Sequence, residues 1–283
     1  MKRYLVTLLT TLWFIYSCEE DLPLIPLYGN GPFVSKIDDA SITGELFLPE
    51  GEGPFPVLIA VPGSGNAPKE EQAAWAPMIN ALGYALYVYD KRGVGESTGL
   101  YPTVTTENPE PFLKARADDV TSIVILLGGH EDIITEEIGL WASGQGTSVS
   151  ILTYRDVADR LARLILMSGG AATTGEVNYY EQLMESEEVT IAVANERLQQ
   201  FDGTVGFDPQ PILEDITIPT LFIFGGQDVS HPTRYDSLLV ANMEKDNFRI
   251  HWYEKANHAL LEAETMMYPE ELFSRVGEWL MSQ

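Results

Sequence analysis

The chain is short of several things. It has one cysteine, Cys18, so no disulfide can form within it and the fold must rest on packing. Positive charge is scarce: 17 Lys and Arg stand against 42 Asp and Glu, a formal net charge of −25. So acidic a surface repels nucleic acid and anionic headgroups, and no nucleic-acid partner is expected. Metal-ligand spacing is missing too, with no H-E-x-x-H, no cysteine pair and only four histidines, His130, His231, His251 and His258. Neither a metal nor a cofactor is expected. The Gly93-x-Gly95 turn is an incomplete dinucleotide fingerprint. The uncharged run over residues 4–16 is too short to span a bilayer comfortably, which takes about 20 apolar residues.

What is present suits a globular protein. The 283 residues are 45% hydrophobic and 21% charged, enough for one large domain with a proper core. Lys2 and Arg3 open the chain, the uncharged run follows, and Ser17-Cys18-Glu19-Glu20 ends it, which fits a signal-peptide core. A small residue before a cysteine at that place resembles the bacterial lipoprotein signal, although Ile15 replaces the commoner Leu and Tyr16 stands where a small residue is usual. The resemblance implies export, removal of residues 1–17, lipid on Cys18 and anchorage to the cell envelope on its periplasmic or surface face. A plainly cleaved signal and an uncleaved anchor are the competing readings. Lipid would account for a lone cysteine in an exported chain, and several acyl groups would have to hold so acidic a body at the membrane. Residues 18–32, acidic and then rich in Pro and Gly, read as a tether, leaving 33–283 as the folded domain.

Strand character at residues 33–37 and 42–48 precedes a Pro-Glu-Gly-Glu-Gly-Pro turn. Short apolar runs at 57–61, 84–89, 138–141, 164–167, 220–224 and 248–253 then alternate with helix-length segments at 69–82, 112–127, 146–156, 234–243 and 269–281. That alternation predicts an α/β fold, a mostly parallel sheet with helices on both faces. Residues 173–215 break it. They are acidic, rich in Glu, Gln and Tyr, and longer than an ordinary connection. A small helical cap is the expectation, and a disordered loop the alternative.

Five segments resemble the α/β-hydrolase superfamily, particularly its bacterial esterase and prolyl-peptidase-like members. They are VLIAVPGSGNAPKE, YDKRGVGESTG, ITEEIGLWASGQGTSVSILTY, PTLFIFGGQDVSHP and HWYEKANHALL, and together the resemblance covers the chain from Ile42 onward. It implies the α/β-hydrolase fold. The first segment would supply an oxyanion-hole N–H near Ser64, with the second N–H from Gln145. Asp90, Lys91 and Arg92 of the second would form an ion-pair network that holds their loop. The fourth and fifth would supply the catalytic acid, Asp228, and the catalytic base, His258, in the chain order this fold requires. A plain turn aspartate and a satisfied structural histidine are the competing readings. His130, His231 and His251 have no family position and read as surface or packing residues.

The third segment should carry the nucleophile, in the pattern G-x-S-x-G. The strand at residues 138–141 fixes the frame, and Ala142 and Gly146 provide the small residues before and after the turn. The nucleophile position is then Gly144, which has no side chain with which to attack. Ser143 could substitute only if the turn slid by one residue, placing the larger Trp141 and Gln145 at the small positions. Ser148 lies a helical turn further on. His258 could instead activate water, slowly. The resemblance therefore implies a membrane-anchored descendant of serine hydrolases, acting on small carboxylic esters or peptide bonds, impaired at residue 144. Its alternative is an inactive binder of a small ligand or partner in the old pocket. Tyr179 and Tyr180, in the cap, are candidate ligand contacts.

Overall fold

A computed structural model describes residues 32–37, 40–101 and 107–283. The signal segment, Cys18 and most of the tether lie outside the described residues. Among the described residues no helix is long and apolar enough to cross a membrane.

One eight-stranded sheet organises the chain, in the order β1-β2-β4-β3-β5-β6-β7-β8. Its strands are β1 (Pro32–Ile37), β2 (Ala40–Phe47), β3 (Phe55–Val61), β4 (Ala85–Tyr89), β5 (Ile133–Ser143), β6 (Arg163–Met167), β7 (Thr220–Gly225) and β8 (Phe248–Tyr253). β2 pairs antiparallel with both β1 and β4, and every pairing from β4 through β3 to β8 is parallel. The mostly parallel sheet expected from the alternating pattern is therefore the one observed.

The central strands are apolar along their whole length because helices cover both faces. Side chains alternate between the two faces with a period of two. Val57, Ile59 and Val61 enter one core, with Val120 and Val124 of α3 (Glu110–Leu127) and Val149 and Leu152 of α4 (Gln145–Val157). Leu58 and Ala60 enter the other, with Ile79 of α2 (Ala76–Ala81) and Val276 and Leu280 of α9 (Leu272–Met281). α9 buries Leu272, Val276, Trp279 and Leu280, spaced as one face of a helix.

Residues 69–82 do not form one helix. α1 (Lys69–Ala73) and α2 are separate pieces, and Pro77 sits in the first turn of the second. A proline there lacks the N–H that a continuous helix would use, so the chain restarts. Within residues 173–215 lie α5 (Thr174–Met184), α6 (Ile191–Leu198) and α7 (Gln210–Asp215). Thr173 starts α5 with a reciprocal capping box to Glu176. α8 (Thr233–Asn242) links β7 to β8.

The chain runs from β3 to β4 on one side of β3 and then, through α3, to β5 on its other side, so the strand order reverses at β3. Crevices at such reversals, beyond the carboxyl ends of parallel strands, are where open α/β sheets bind ligands.

Candidate active site

A sharp turn lies at that crevice. β5 ends at Ser143, α4 begins at Gln145, and the whole reversal is made at Gly144, with φ 50° and ψ −124°. Side chains strain such a backbone, and glycine does not. The Gly144 N–H still donates to Met167 O at 2.9 Å, extending the ladder with β6, while its carbonyl accepts from Thr147 N at 3.0 Å and from Thr147 Oγ1 at 2.8 Å. Gly146 packs so closely on β3 that a Cβ there would collide with the Val61 and Pro62 carbonyls. The frame read from Ala142 and Gly146 is thus the structural one. Ser143 belongs to the strand, paired with Met167, and does not occupy the turn. Ser148, one turn into α4, lines the same cleft.

His258 faces the turn. A Cβ built on Gly144 would lie 3.1 Å from its Nε2. The ring sits at the tip of a loop after β8, which Asn257 closes by accepting from the N–H groups of Ala259 and Leu261, both at 3.0 Å. Ser168, at the end of β6, donates its hydroxyl to the His258 carbonyl at 2.7 Å. His258 Nδ1 lies 2.8 Å from Asp228 Oδ2, and the Asp228 side chain is fully buried. That partner holds the proton on Nδ1 and leaves Nε2 as an acceptor toward Gly144. The other Asp228 oxygen accepts from the N–H groups of Ser230 and His231, both at 2.8 Å, which closes the turn after β7. Tyr180 of α5 donates to the Asp228 carbonyl at 2.8 Å. Tyr180 thus supports the acid's loop, and Tyr179 packs on Phe201.

The loop from Pro62 to Gly65 forms the opposite lip. A Cβ on Gly63 would stand 3.2 Å from Ser143 O and 3.9 Å from Gln145 N, so this loop and the start of α4 share one wall. Ser64 and Gln145 line the cleft there. Two buried cations secure the wall from behind. Lys91 Nζ donates to Gly63 O at 3.0 Å and also to Gly65 O, while Arg116 donates to Gln145 Oε1 at 2.8 Å and to Pro62 O. Burial, with the Arg116 cation beside it, lowers the Lys91 ammonium to about 8.

The ion-pair network expected of Asp90, Lys91 and Arg92 needs correcting at its middle member. Asp90 pairs with Lys69 at 3.2 Å and Arg92 with Asp119 through bonds of 2.8 and 2.6 Å. Lys91 instead reaches the loop from Pro62 to Gly65, where its ammonium donates to the Gly63 and Gly65 carbonyls. Past the end of β4 the backbone turns, and Asp90 meets α1, Arg92 meets α3 and Lys91 meets the Pro62–Gly65 loop, so the three adjacent charges form no single network.

The cleft encloses about 450 Å³ and is roofed by α5, which contributes Val177, Asn178 and Glu181. His231 also lines it and departs from its reading as a plain surface or packing residue. Its Nε2 lies 2.6 Å from Asp236 Oδ2, and the other Asp236 oxygen accepts from Ala171 N at 2.7 Å and from Ala172 N. Burial opposes charge on His231, but the Asp236 carboxylate outweighs it and holds the ring's pKa above its ordinary value. Partial desolvation raises the Glu181 carboxyl, against the pull of His231 and His258. His231 could have been suspected because it follows Asp228 by three residues. Glu181 carries no such signal. Among the described residues no cluster of His, Cys, Asp and Glu could hold a metal ion.

The sheet order and the solved structures that share it show the α/β-hydrolase fold. The solved structures that share it include a proline iminopeptidase of Mycobacterium smegmatis, with TM-score 0.65, 16% identity and coverage of 89% of this chain and 98% of that one. An esterase of Pyrococcus furiosus aligns with TM-score 0.66 and 16% identity over 90% of this chain and 91% of its own. In sequence the chain is 25% identical over 256 residues to Esterase EstD of Thermotoga maritima. That match takes in 83% of this chain and only 61% of the esterase. No family model matches.

Proposed function

We propose that the cleft is an acyl site of serine-hydrolase descent, shaped for a small carboxylic ester or a peptide-like acyl group, in which the attacking hydroxyl is missing. One observation carries this reading: Gly144 occupies the strained turn, and the place where its side chain would begin lies 3.1 Å from the Nε2 of a histidine already oriented by a buried aspartate. A serine at residue 144 would bond its Oγ to the acyl carbon and pass its proton to His258 Nε2. His258 would return that proton to the leaving alcohol or amine as the acyl–oxygen or acyl–nitrogen bond breaks. The N–H groups of Ser64 and Gln145 would face the oxyanion. With Gly144 in place, the sequence left to His258 is general-base activation of water, without an acyl-enzyme, and retention of the ligand is favoured over turnover.

The test compares hydrolysis of p-nitrophenyl acetate and butyrate by the full chain, by Gly144→Ser and by Gly144→Ser combined with His258→Ala. Loss of the serine costs roughly 10⁶-fold in turnover in a subtilisin-type site, so the single variant should gain at least about 10³-fold. The double variant should lose that gain. Equal rates for the unaltered chain and Gly144→Ser would sink the reading and turn attention to Ser143.

We propose also that the domain is held at a cell-envelope membrane by lipid on Cys18. Support comes only from the sequence of residues 1–21. Cys18→Ala should move the protein from the membrane fraction to the soluble one; unchanged partitioning and unchanged acyl labelling would overturn this.

A further inference from the structure

We infer that the cleft, as it stands with Gly144, is a binding site for a free carboxylate, the acid rather than the ester. The inference rests on the acyl-site reading and goes beyond it by naming the ligand's charge state.

The argument begins with what a carboxylate needs, which is donors for two oxygens about 2.2 Å apart and positive charge near both. The first oxygen finds its donors at the lip. Gln145 opens the 13-residue helix α4, so its N–H has no acceptor within the helix. That helix end carries the positive pole of the macrodipole. Lys91 and Arg116 bring two buried cations to the same wall, and each ends on uncharged acceptors: the carbonyls of Pro62, Gly63 and Gly65 and the Gln145 amide. Their charge is therefore not cancelled by a direct carboxylate contact, and it acts on the lip they support.

The second oxygen falls where a nucleophile's hydroxyl would be, against His258 Nε2. In an ester hydrolase that place holds Oγ, which fills the room a second oxygen would need beside the imidazole. Gly144 leaves it open to an anion. The imidazole then takes up a proton, and Asp228 stabilises the resulting imidazolium through Nδ1. The substitution that removes nucleophilic attack thus converts the geometry into a two-point clamp for the reaction's acidic product.

Three charged or titratable groups face His258 and set the balance. Asp228 favours its protonation from the strand β7 side. Glu181, on α5, shares the cleft and repels an incoming anion, though it too favours a charged His258. His231, held by Asp236, shares the cleft and offsets Glu181. Carboxylate binding should therefore be coupled to proton uptake at His258 and opposed by Glu181.

The experiment is titration calorimetry of the full chain with sodium butyrate and with butyramide, at pH 6.5, well below the Lys91 value of about 8 so that Lys91 stays charged throughout, in two buffers of different ionisation enthalpy. Butyrate should bind at least about tenfold more tightly than the isosteric amide, a difference of about 1.4 kcal/mol. It should draw protons from the buffer, because the bare Nε2 must gain one before it can donate to an anion. Gly144→Ala, which fills the space without adding a hydroxyl, should weaken butyrate binding at least about tenfold. Glu181→Gln should strengthen it by a few fold. His258→Gln should abolish the proton uptake, and it keeps the proposal open to refutation if Gly144→Ala proves unstable. Equal affinity for butyrate and butyramide, no detectable butyrate binding, or proton uptake that survives in His258→Gln would each overturn the inference. The two readings fail separately. Hydrolysis by Gly144→Ser without butyrate selectivity in the unaltered chain leaves an acyl site that is no carboxylate clamp. Selective butyrate binding without any gain in Gly144→Ser leaves the clamp and removes the hydrolase descent.

Discussion

The two walls of the cleft are built to different standards. On one side, Asp228 and His258 are tied down at almost every polar atom: two N–H groups and an imidazole on the carboxylate, a tyrosine on the aspartate carbonyl, a serine on the histidine carbonyl. On the other, the turn at residue 144 has kept its backbone bonds and its φ of 50° but offers no side chain. The difference teaches that the side chain at the turn and the backbone that mounts it are separable. The mounting is made of backbone hydrogen bonds that fold the chain, and it stands whether or not a nucleophile is fixed to it.

The largest expected effect tests that separability directly. Gly144→Ser should raise ester hydrolysis by at least about 10³-fold and at the same time lower stability by about 1–3 kcal/mol, because a side chain must now adopt a conformation suited to glycine. Rate assays and chemical denaturation on the same preparation check both. A gain in rate with no loss of stability would mean that the turn is not strained. Asp228→Ala comes next. It removes the acceptor for two N–H groups, that of His231 buried, and for the histidine, and should destabilise the fold by about 2–4 kcal/mol. A near-silent effect in denaturation would mean that the tight wall is tight for chemistry alone.

Lys91 sharpens the comparison from beneath the other wall. Its folded value of about 8 lies below the ordinary lysine value of 10.5. Between those limits the unfolded chain holds a proton that the folded one has released, so this group makes stability rise with pH, by at most about 1.4 kcal/mol per unit. Below pH 8 both states are protonated and the slope vanishes. Lys91→Met should remove that slope between pH 8 and 10 while lowering stability overall, since the Gly63 and Gly65 carbonyls lose their donor. Denaturation curves at three pH values settle the sign. Tyr180→Phe should have the smallest effect, about 0.5–1.5 kcal/mol, for one buried hydrogen bond to the Asp228 carbonyl. A larger loss would mean that the cap, and not the sheet, sets the position of the acid.

Much of the fold was legible in the sequence because its determinants are local. Runs such as ALYVY at β4 and LFIF within β7 are apolar throughout, as buried parallel strands must be. The frame of the turn was legible from Ala142 and Gly146, since only small residues fit against β3. Asp228 and His258 were legible through family resemblance, not through spacing, because 30 residues and a strand separate them. What stayed hidden was assembled by distant contacts. His231 meets the cleft beside Asp236 only because α8 docks under residues 171–172. Glu181 reaches it because α5 lies across the strand ends. The Lys91 ammonium passed for a member of a charge cluster because a sequence shows charge and not direction.

The double duty of Asp228 has a consequence for how such a protein changes over generations. On the proposed descent, exchange of a serine at the turn for glycine would remove activity while relieving backbone strain, so folding would offer it no resistance. A mutation at Asp228 loosens the loop that carries it, and selection for a folded chain acts against it even when catalysis no longer matters. On the proposed descent, decay of this architecture should therefore be ordered, with a side chain at residue 144 lost early and Asp228 late, and a change of Gly144 to Ser stays within reach for as long as the aspartate is kept for its structural bonds.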